Sequence, residues 1–216
     1  CADGRRPARM LAALGHDLRS PMTALRVRVE MVEDDETRDR MTATLDEMQE
    51  MLEATPAYAR GVSTDQPPKR VDLAALVEAL SAELSEIGPE IHVLASGPIV
   101  VPIRRMAVRR ALRNVLENAQ RHGRGAWVAV EADDAKVRPV VDDAGPGIPE
   151  ADLERVFDPY LRLETSRSRE TGGTGLGLPI ACAVLRAHGG DVHLYNLPAG
   201  GLRATVSLPR KPAAAP

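Results

Sequence analysis

The feature that most limits what this chain can fold into is a stripe of apolar residues near its start. Leu11, Leu14, Leu18, Met22, Leu25, Val29 and Val32 recur at steps of three and four, which places them on one face of a helix running from Ala8 to about Glu33. The acids of residues 33–36 interrupt the stripe, and Met41, Leu45, Met48, Leu52 and Ala59 resume it on a second helix. Two helices with a short acidic connection predict an antiparallel hairpin. One hairpin cannot bury so long a seam by itself, so two copies are expected to close into a four-helix bundle, a homodimer. Pro56 falls inside the second pattern, where it deletes a backbone hydrogen bond, and a kink or an early helix end is expected there.

Residues 61–70, GVSTDQPPKR, have the composition of a linker between separately folding parts. The expected organisation is a helical hairpin over residues 1–62, a linker over 63–70 and a second domain over 71–216. Residues 71–84 read as an amphipathic helix opened by an Asp72 cap. Strand-like runs follow at residues 91–96, 98–102, 126–132, 138–143, 191–196 and 203–209, with helical patterns at 104–122 and 179–188. This interleaving predicts an α/β sandwich of one sheet with helices on one face.

Bulk properties exclude several functions. The net charge is −3 and the arginines are interspersed with acids, which argues against a nucleic-acid footprint. Aromatic residues make up only 2% of the chain, so base stacking is not expected either. Two cysteines, Cys1 and Cys182, are too few for a disulfide scaffold and suit a reducing cytosol. No run approaches the roughly 18 consecutive apolar residues of a membrane span. The chain opens on Cys1 and reads as a piece of something longer.

Five motifs carry chemistry. In GHDLRSPMTAL, residues 15–25, His16 lies at the edge of the apolar seam, and Pro21 loosens the helix one turn later. A neutral imidazole is a competent nucleophile, and the adjacent Asp17 can orient the ring and accept its proton. In residues 109–123, Asn114 and Asn118 stand one turn apart on a helix whose Leu112, Val115, Leu116 and Ala119 face inward. Two amides so placed can hold a hydrated Mg²⁺ and the phosphates it bridges. Asp143 ends an apolar strand just before Gly145 and Gly147, where a carboxylate can accept from an exocyclic amine such as that of adenine and the glycines admit a flat ring. The same run also reads as a plain turn. Gly173, Thr174, Gly175, Leu176 and Gly177 form a glycine-rich loop ahead of a helix expected to begin near Pro179, a setting in which backbone N–H groups grip phosphate. Between these two motifs, Phe157 and Tyr160 precede Arg162, Arg167 and Arg169 in a segment suited to a lid over a nucleotide.

A helical His-Asp-x-Arg-Ser-Pro, an Asn-x-x-x-Asn helix, Asp-x-Gly-x-Gly, Phe-x-Pro-Tyr and Gly-x-Gly-x-Gly-Leu occur here in that order. From about Ala8 to Pro209 the chain closely resembles the bacterial sensor histidine kinases, in particular the osmosensor-like class. The resemblance implies a second domain of the fold shared by histidine kinases, gyrase and Hsp90, binding ATP and Mg²⁺. It implies that His16 is the phosphoacceptor, Asp17 its acidic partner, and Ser20 the residue placed to assist dephosphorylation of a response regulator. Asn118 resembles the Mg²⁺ ligand and Asn114 its companion. Arg121 stands in place of a basic residue that contacts phosphate, and His122 where an aromatic is often found. Asp143 resembles the adenine-reading carboxylate, Gly145 and Gly147 its supporting turn, and Gly173, Gly175 and Gly177 the phosphate-side loop. The implied partners are a second copy of the chain and the receiver domain of a response regulator. The implied setting is the cytoplasmic part of a protein anchored in the bacterial inner membrane. Two rivals stay open: an ATPase that turns over without His16, and a catalytically silent dimeric scaffold or phosphatase.

Overall fold

The computed structural model describes residues 21–42, 44–45, 48, 67–94, 97–159, 161 and 175–211, and the chain divides into two compact units, 1–63 and 64–216. His16, Asp17, Ser20, Pro56, Tyr160, Arg162, Arg167, Arg169, Gly173 and Thr174 lie outside the described residues.

In the first unit, helix α1 is described over residues 21–29 and α2 over 35–42, with a turn between them at the acidic cluster. The turn has a local cause. Asp34 accepts a hydrogen bond from the Thr37 backbone N–H at 2.8 Å and so caps α2, and that contact, with the Thr37 side chain foremost, holds its carboxyl below the usual range. Along the apolar stripe Met22, Val29 and Leu45 are buried, whereas Leu25, Met41 and Met48 are exposed.

The second unit is an α/β sandwich. Strand β1 (Lys69–Asp72) pairs antiparallel with β3 (Val100–Ile103) in a two-stranded ribbon. Strands β2 (Ile91–Val93), β4 (Ala126–Ala132), β5 (Lys136–Asp143), β6 (Asp191–Asn196) and β7 (Leu202–Pro209) form a second sheet in the order β2-β4-β5-β7-β6. That sheet is mixed, with β2 parallel to β4 and the other pairs antiparallel. Two differences from the sequence reading have one physical origin. The run at 98–102 joins the ribbon and not the main sheet, and Lys69 and Arg70, assigned by composition to the linker, are half of β1. Pairing with a partner some thirty residues away makes that strand, and local composition does not report it.

Alternation of burial defines the layers. On β5, Val137, Pro139, Val141 and Asp143 are buried while the residues between them are not, and on β4 Ala126, Val128 and Val130 are buried while Trp127 is exposed. Helices α3 (Leu73–Ser85), α4 (Arg105–Gly123) and α5 (Gly177–Arg186) cover the buried face. The core between them is aliphatic: Leu73, Leu80, Leu84, Leu112, Leu116, Leu185 and Leu208 are all essentially inaccessible. Each such leucine stabilises the fold by about 1.5–3 kcal/mol relative to exposure.

Asp72 caps α3 as its sequence predicts. Its Oδ1 accepts from the N–H of Ala74 at 3.1 Å and of Ala75 at 3.4 Å, and also from Ile99 N–H at 3.1 Å, so the same oxygen ties the helix start to the approach to β3. Glu83 of α3 then grips α4 through Arg109 and, at 2.7 Å, through Arg113. The buried Gln120 donates to Leu84 C=O at 3.1 Å, which holds the C-terminal turn of α3 against α4. Helix α4 is thereby fixed in position and rotation, and it is the helix that carries most of the candidate site.

Candidate functional site

Three stretches of chain meet along α4. Asn114, Asn118 and His122 are spaced by four residues, so they share one face of the helix, and all three are half-buried. The inward face of the same helix, with Leu112, Val115, Leu116 and Ala119, is buried as its periodicity predicts. Arg121 is exposed in the last turn.

At the C-terminal end of α4, Gly123 abuts Asp143, the last residue of β5. A Cβ at position 123 would lie 2.3 Å from Asp143 Cβ. Asp143 is 6% exposed, and its Oδ1 accepts from Gly145 N–H at 2.8 Å and Leu202 N–H at 3.2 Å. Burial raises its carboxyl above the ordinary range, and the two N–H contacts oppose that rise. His122 is pushed below the usual imidazole range by burial and then by Arg121, with Asp143 opposing, so the neutral ring is favoured beside the carboxylate.

The glycines of the Asp-Ala-Gly-Pro-Gly turn prove to have internal causes. A Cβ at Gly145 would come within 2.7 Å of His122 C=O, and at Gly147, where φ is +73°, within 2.6 Å of Asn196 Oδ1. Close packing of the turn against α4 and against the end of β6 therefore demands both glycines, with no flat ring needed to explain them. A Cβ at Gly201, at the start of β7, would lie 2.0 Å from Asp143 C=O. Gly123, Asn196, Gly201 and Leu202 are all parts of this site that the sequence motifs did not single out.

Midway along α4, Asn114 faces the start of α5. A Cβ at Gly177 would be 3.8 Å from Asn114 Cβ, and Asn114 Nδ2 is buried with no hydrogen-bond partner among the described residues. Helix α5 begins at Gly177, two residues ahead of the position expected from Pro179, which sits in the first turn where proline costs no hydrogen bond. No side chain caps α5, and Gly175 ahead of it has φ +66°. The positive end of the α5 dipole thus opens beside Asn114, a setting for an anion. Phe157, in a short 3-10 turn, is half-buried.

The two ends differ in chemistry and are joined by one helix. From Gly123 to Asn114 is about 13 Å along α4 at the α-helical rise, the span of an extended nucleotide: a hydrogen-bond acceptor stands at one end, and amides with an open helix terminus stand at the other. Among the described residues no three His, Cys, Asp or Glu side chains gather to hold a metal ion. A cation here would draw on amide oxygens, on ligand phosphates and on its own waters, which fits Mg²⁺ and not a thiophilic metal.

A mixed sheet covered on one face by helices, with the buried Asp143 at the end of α4 and the start of α5 beside Asn114, defines an α/β sandwich. The profile of the family described as histidine kinase-, DNA gyrase B-, and HSP90-like ATPase matches residues 104–212, and the chain belongs to that family. Its relatives there are bacterial sensor histidine kinases. It is 34% identical to the sensor histidine kinase GtrS of Pseudomonas aeruginosa over 93% of this chain and 41% of that protein. It is 31% identical to the sensor-type histidine kinase PrrB of Mycobacterium tuberculosis over 94% of this chain and 48% of that protein. The crystal structure of full-length ShkA in complex with AMPPNP matches it with a TM-score of 0.68 at 25% identity, over 96% of this chain and 47% of that one. The chain thus spans less than half the length of the curated relatives cited. Among the described residues no helix is long and apolar enough to cross a membrane.

Proposed function

We propose that this chain is the catalytic part of a two-component sensor histidine kinase, which phosphorylates its own His16 from ATP. The observation that carries the reading is the buried Asp143 carboxylate, with one oxygen held by two backbone N–H groups at the end of a central strand. An acceptor so fixed and so shielded from water suits the exocyclic amine of adenine. Arg121, His122 and the turn at Gly145 and Gly147 flank that end. The N–H groups around Gly173, Thr174, Gly175, Leu176 and Gly177 would take the phosphates, with Phe157 and Tyr160 in the lid beside them. Asn118, with Asn114, would hold Mg²⁺, which when bound neutralises phosphate charge.

In the proposed reaction a ring nitrogen of His16 attacks the γ-phosphorus in line. The bond from that phosphorus to the β–γ bridging oxygen breaks, ADP departs with the electron pair, and Asp17 accepts the ring proton. Positioning and charge neutralisation supply most of the rate, since this transfer asks for little covalent chemistry from the protein. The phosphoryl group then passes to an aspartate of a response regulator receiver domain, and Ser20 would assist the reverse task of dephosphorylating that regulator. The exposed Leu25, Met41 and Met48 on the apolar stripe of the first unit support its closure with a second copy into a four-helix bundle. The whole protein would sit in the bacterial inner membrane, with this part in the cytoplasm.

Incubation with γ-labelled ATP and Mg²⁺ tests the assignment. Acid-labile label is expected in the unaltered protein and none in His16→Gln; label that persists in His16→Gln overturns it.

A further inference from the structure

The hairpin that joins β6 to β7 holds the Asp143–Ile148 segment at both ends. At the near end, Leu202 N–H donates to Asp143 Oδ1 at 3.2 Å. At the far end, the Asn196 side chain engages both backbone groups of one residue: Ile148 N–H donates to Asn196 Oδ1 at 2.9 Å, and Asn196 Nδ2 donates to Ile148 C=O at 2.6 Å. A carboxamide offers one donor and one acceptor side by side, so it pairs with a peptide unit much as a neighbouring strand does. Aspartate at this position lacks the donor, and alanine lacks both groups. Gly147 lies within the held segment, and its missing side chain leaves the room that Asn196 Oδ1 occupies. The turn that follows Asp143 is therefore strung between two fixed points on one hairpin, and its freedom to tilt is set by whether both hold.

We propose that Asn196 is a positioning residue of the nucleotide site: by pinning Ile148 it fixes the turn after β5 and so the direction in which the second carboxylate oxygen of Asp143 points. The proposal rests on the reading of Asp143 as the group that recognises the adenine amine. Asn196 need not touch the nucleotide, because its effect passes through the backbone of residues 143–148. Its contribution is selective for that reason. A ligand whose binding depends on the Asp143 hydrogen bond loses affinity when the turn is released, and a ligand that never makes this bond does not.

The experiment is calorimetric titration of the whole chain with Mg²⁺-ADP and with Mg²⁺-IDP, whose base carries a carbonyl in place of the amine. Asn196→Ala, Asn196→Asp and Asp143→Asn are compared with the unaltered protein, and thermal unfolding is followed in parallel. The unaltered protein is expected to prefer ADP. Asn196→Ala should weaken ADP about tenfold, the scale of losing the one hydrogen bond between Asp143 and the amine, and leave IDP within about twofold. Asn196→Asp, which keeps the acceptor for Ile148 N–H, should fall between. Thermal midpoints should stay close to that of the unaltered protein, because these bonds are exposed to water. If Asn196→Ala binds ADP normally while Asp143→Asn does not, the positioning role is wrong and the reading of Asp143 stands. Equal weakening of ADP and IDP together with a lowered midpoint means a structural role only, and also overturns the proposal. If Asp143→Asn binds ADP as tightly as the unaltered protein, the reading of Asp143 falls and this inference falls with it.

Discussion

Gly123 and Asp143 compete for the same space: the last residue of α4 has no side chain, and the Asp143 side chain fills the volume one would need, with only 2.3 Å between the two Cβ positions. Helix and strand can meet so closely only because of that glycine, and the meeting carries the carboxylate down into the protein. Gly123→Ala should force α4 and β5 apart. Overpacking of this kind costs about 1–3 kcal/mol, so the thermal midpoint should fall, and ADP affinity should fall with it because Asp143 is displaced. Calorimetry and thermal unfolding on the same preparation check both; an alanine variant with unchanged ADP affinity would show that the contact does not position the carboxylate.

Asp143→Asn separates stability from recognition. The amide oxygen can still accept from Gly145 and Leu202 N–H, so the backbone arrangement has what it needs. What disappears is a buried charge. Because burial raises this carboxyl above its unfolded value, the folded state takes up a proton more readily than the unfolded chain does, and the stability tied to the protonated form is lost as pH rises through the folded value. Relative to Asp143→Asn, the unaltered protein should therefore lose stability as pH rises above about 4, where the unperturbed carboxyl titrates. Urea denaturation of both forms across that range measures the difference. At pH 7 the variant should be at least as stable and should bind no ADP, the pattern of a residue kept for a ligand and not for the fold.

What could be read from the sequence divides along range. The Asp72 cap, the buried face of α4 and the position of Asp143 at a strand end follow from residues within a few places of one another, and they were legible. Strand β1 was not, because Lys69 and Arg70 become a strand only by pairing with Ile103 and Pro102. Nor was the buttress of the site: Asn196 meets Ile148 across 48 residues and Leu202 meets Asp143 across 59. In the sequence the glycines at 145 and 147 suggest room for a flat ring, yet the atoms that demand them, His122 C=O and Asn196 Oδ1, lie on other elements. A strand end in Asn196 followed by Gly200 and Gly201 was the one local sign of a tight hairpin.

Acid should loosen the second unit through its histidines. His188 Nε2 accepts from the Arg104 N–H at the start of α4, at 3.3 Å, which requires the proton on Nδ1, and Nδ1 donates to Val184 C=O at 2.8 Å. Protonation of Nε2 would turn that acceptor into a second donor facing an N–H. Burial holds His188 below the usual imidazole range, with Val184 C=O opposing and Arg104 adding to the fall, and burial lowers His122 too. With folded values below unfolded ones, the unfolded chain takes up protons first. The stability due to the neutral rings is complete above the unfolded value, about 6.5, and drains away as pH falls through the folded values. Chemical denaturation from pH 8 to pH 5 should show stability falling below about pH 6.5, and His188→Gln should flatten part of that slope. A slope unchanged in His188→Gln would remove His188 from the account.

The Glu83 contacts offer a stability test at a distance from the ligand. Glu83 bonds Arg109 and Arg113, and Arg113 also bonds Glu117 through Nε at 2.7 Å, with Glu117 the main reason its guanidinium is held above the ordinary range. Two helices are joined here by a network, not by an isolated pair. The side chains are roughly a third exposed, so solvent screens each contact, and a single exposed pair is worth about 0.2–1 kcal/mol. Glu83→Ala breaks two contacts at once and should cost about 1 kcal/mol in dilute buffer. Raising the salt to about 1 M, where the Debye length is near 3 Å, should shrink that cost. A double-mutant cycle of Glu83→Ala with Arg113→Ala isolates the coupling. A cost that salt leaves untouched would mean that the Glu83 side chain acts by packing its stem against α4 and not through its charge.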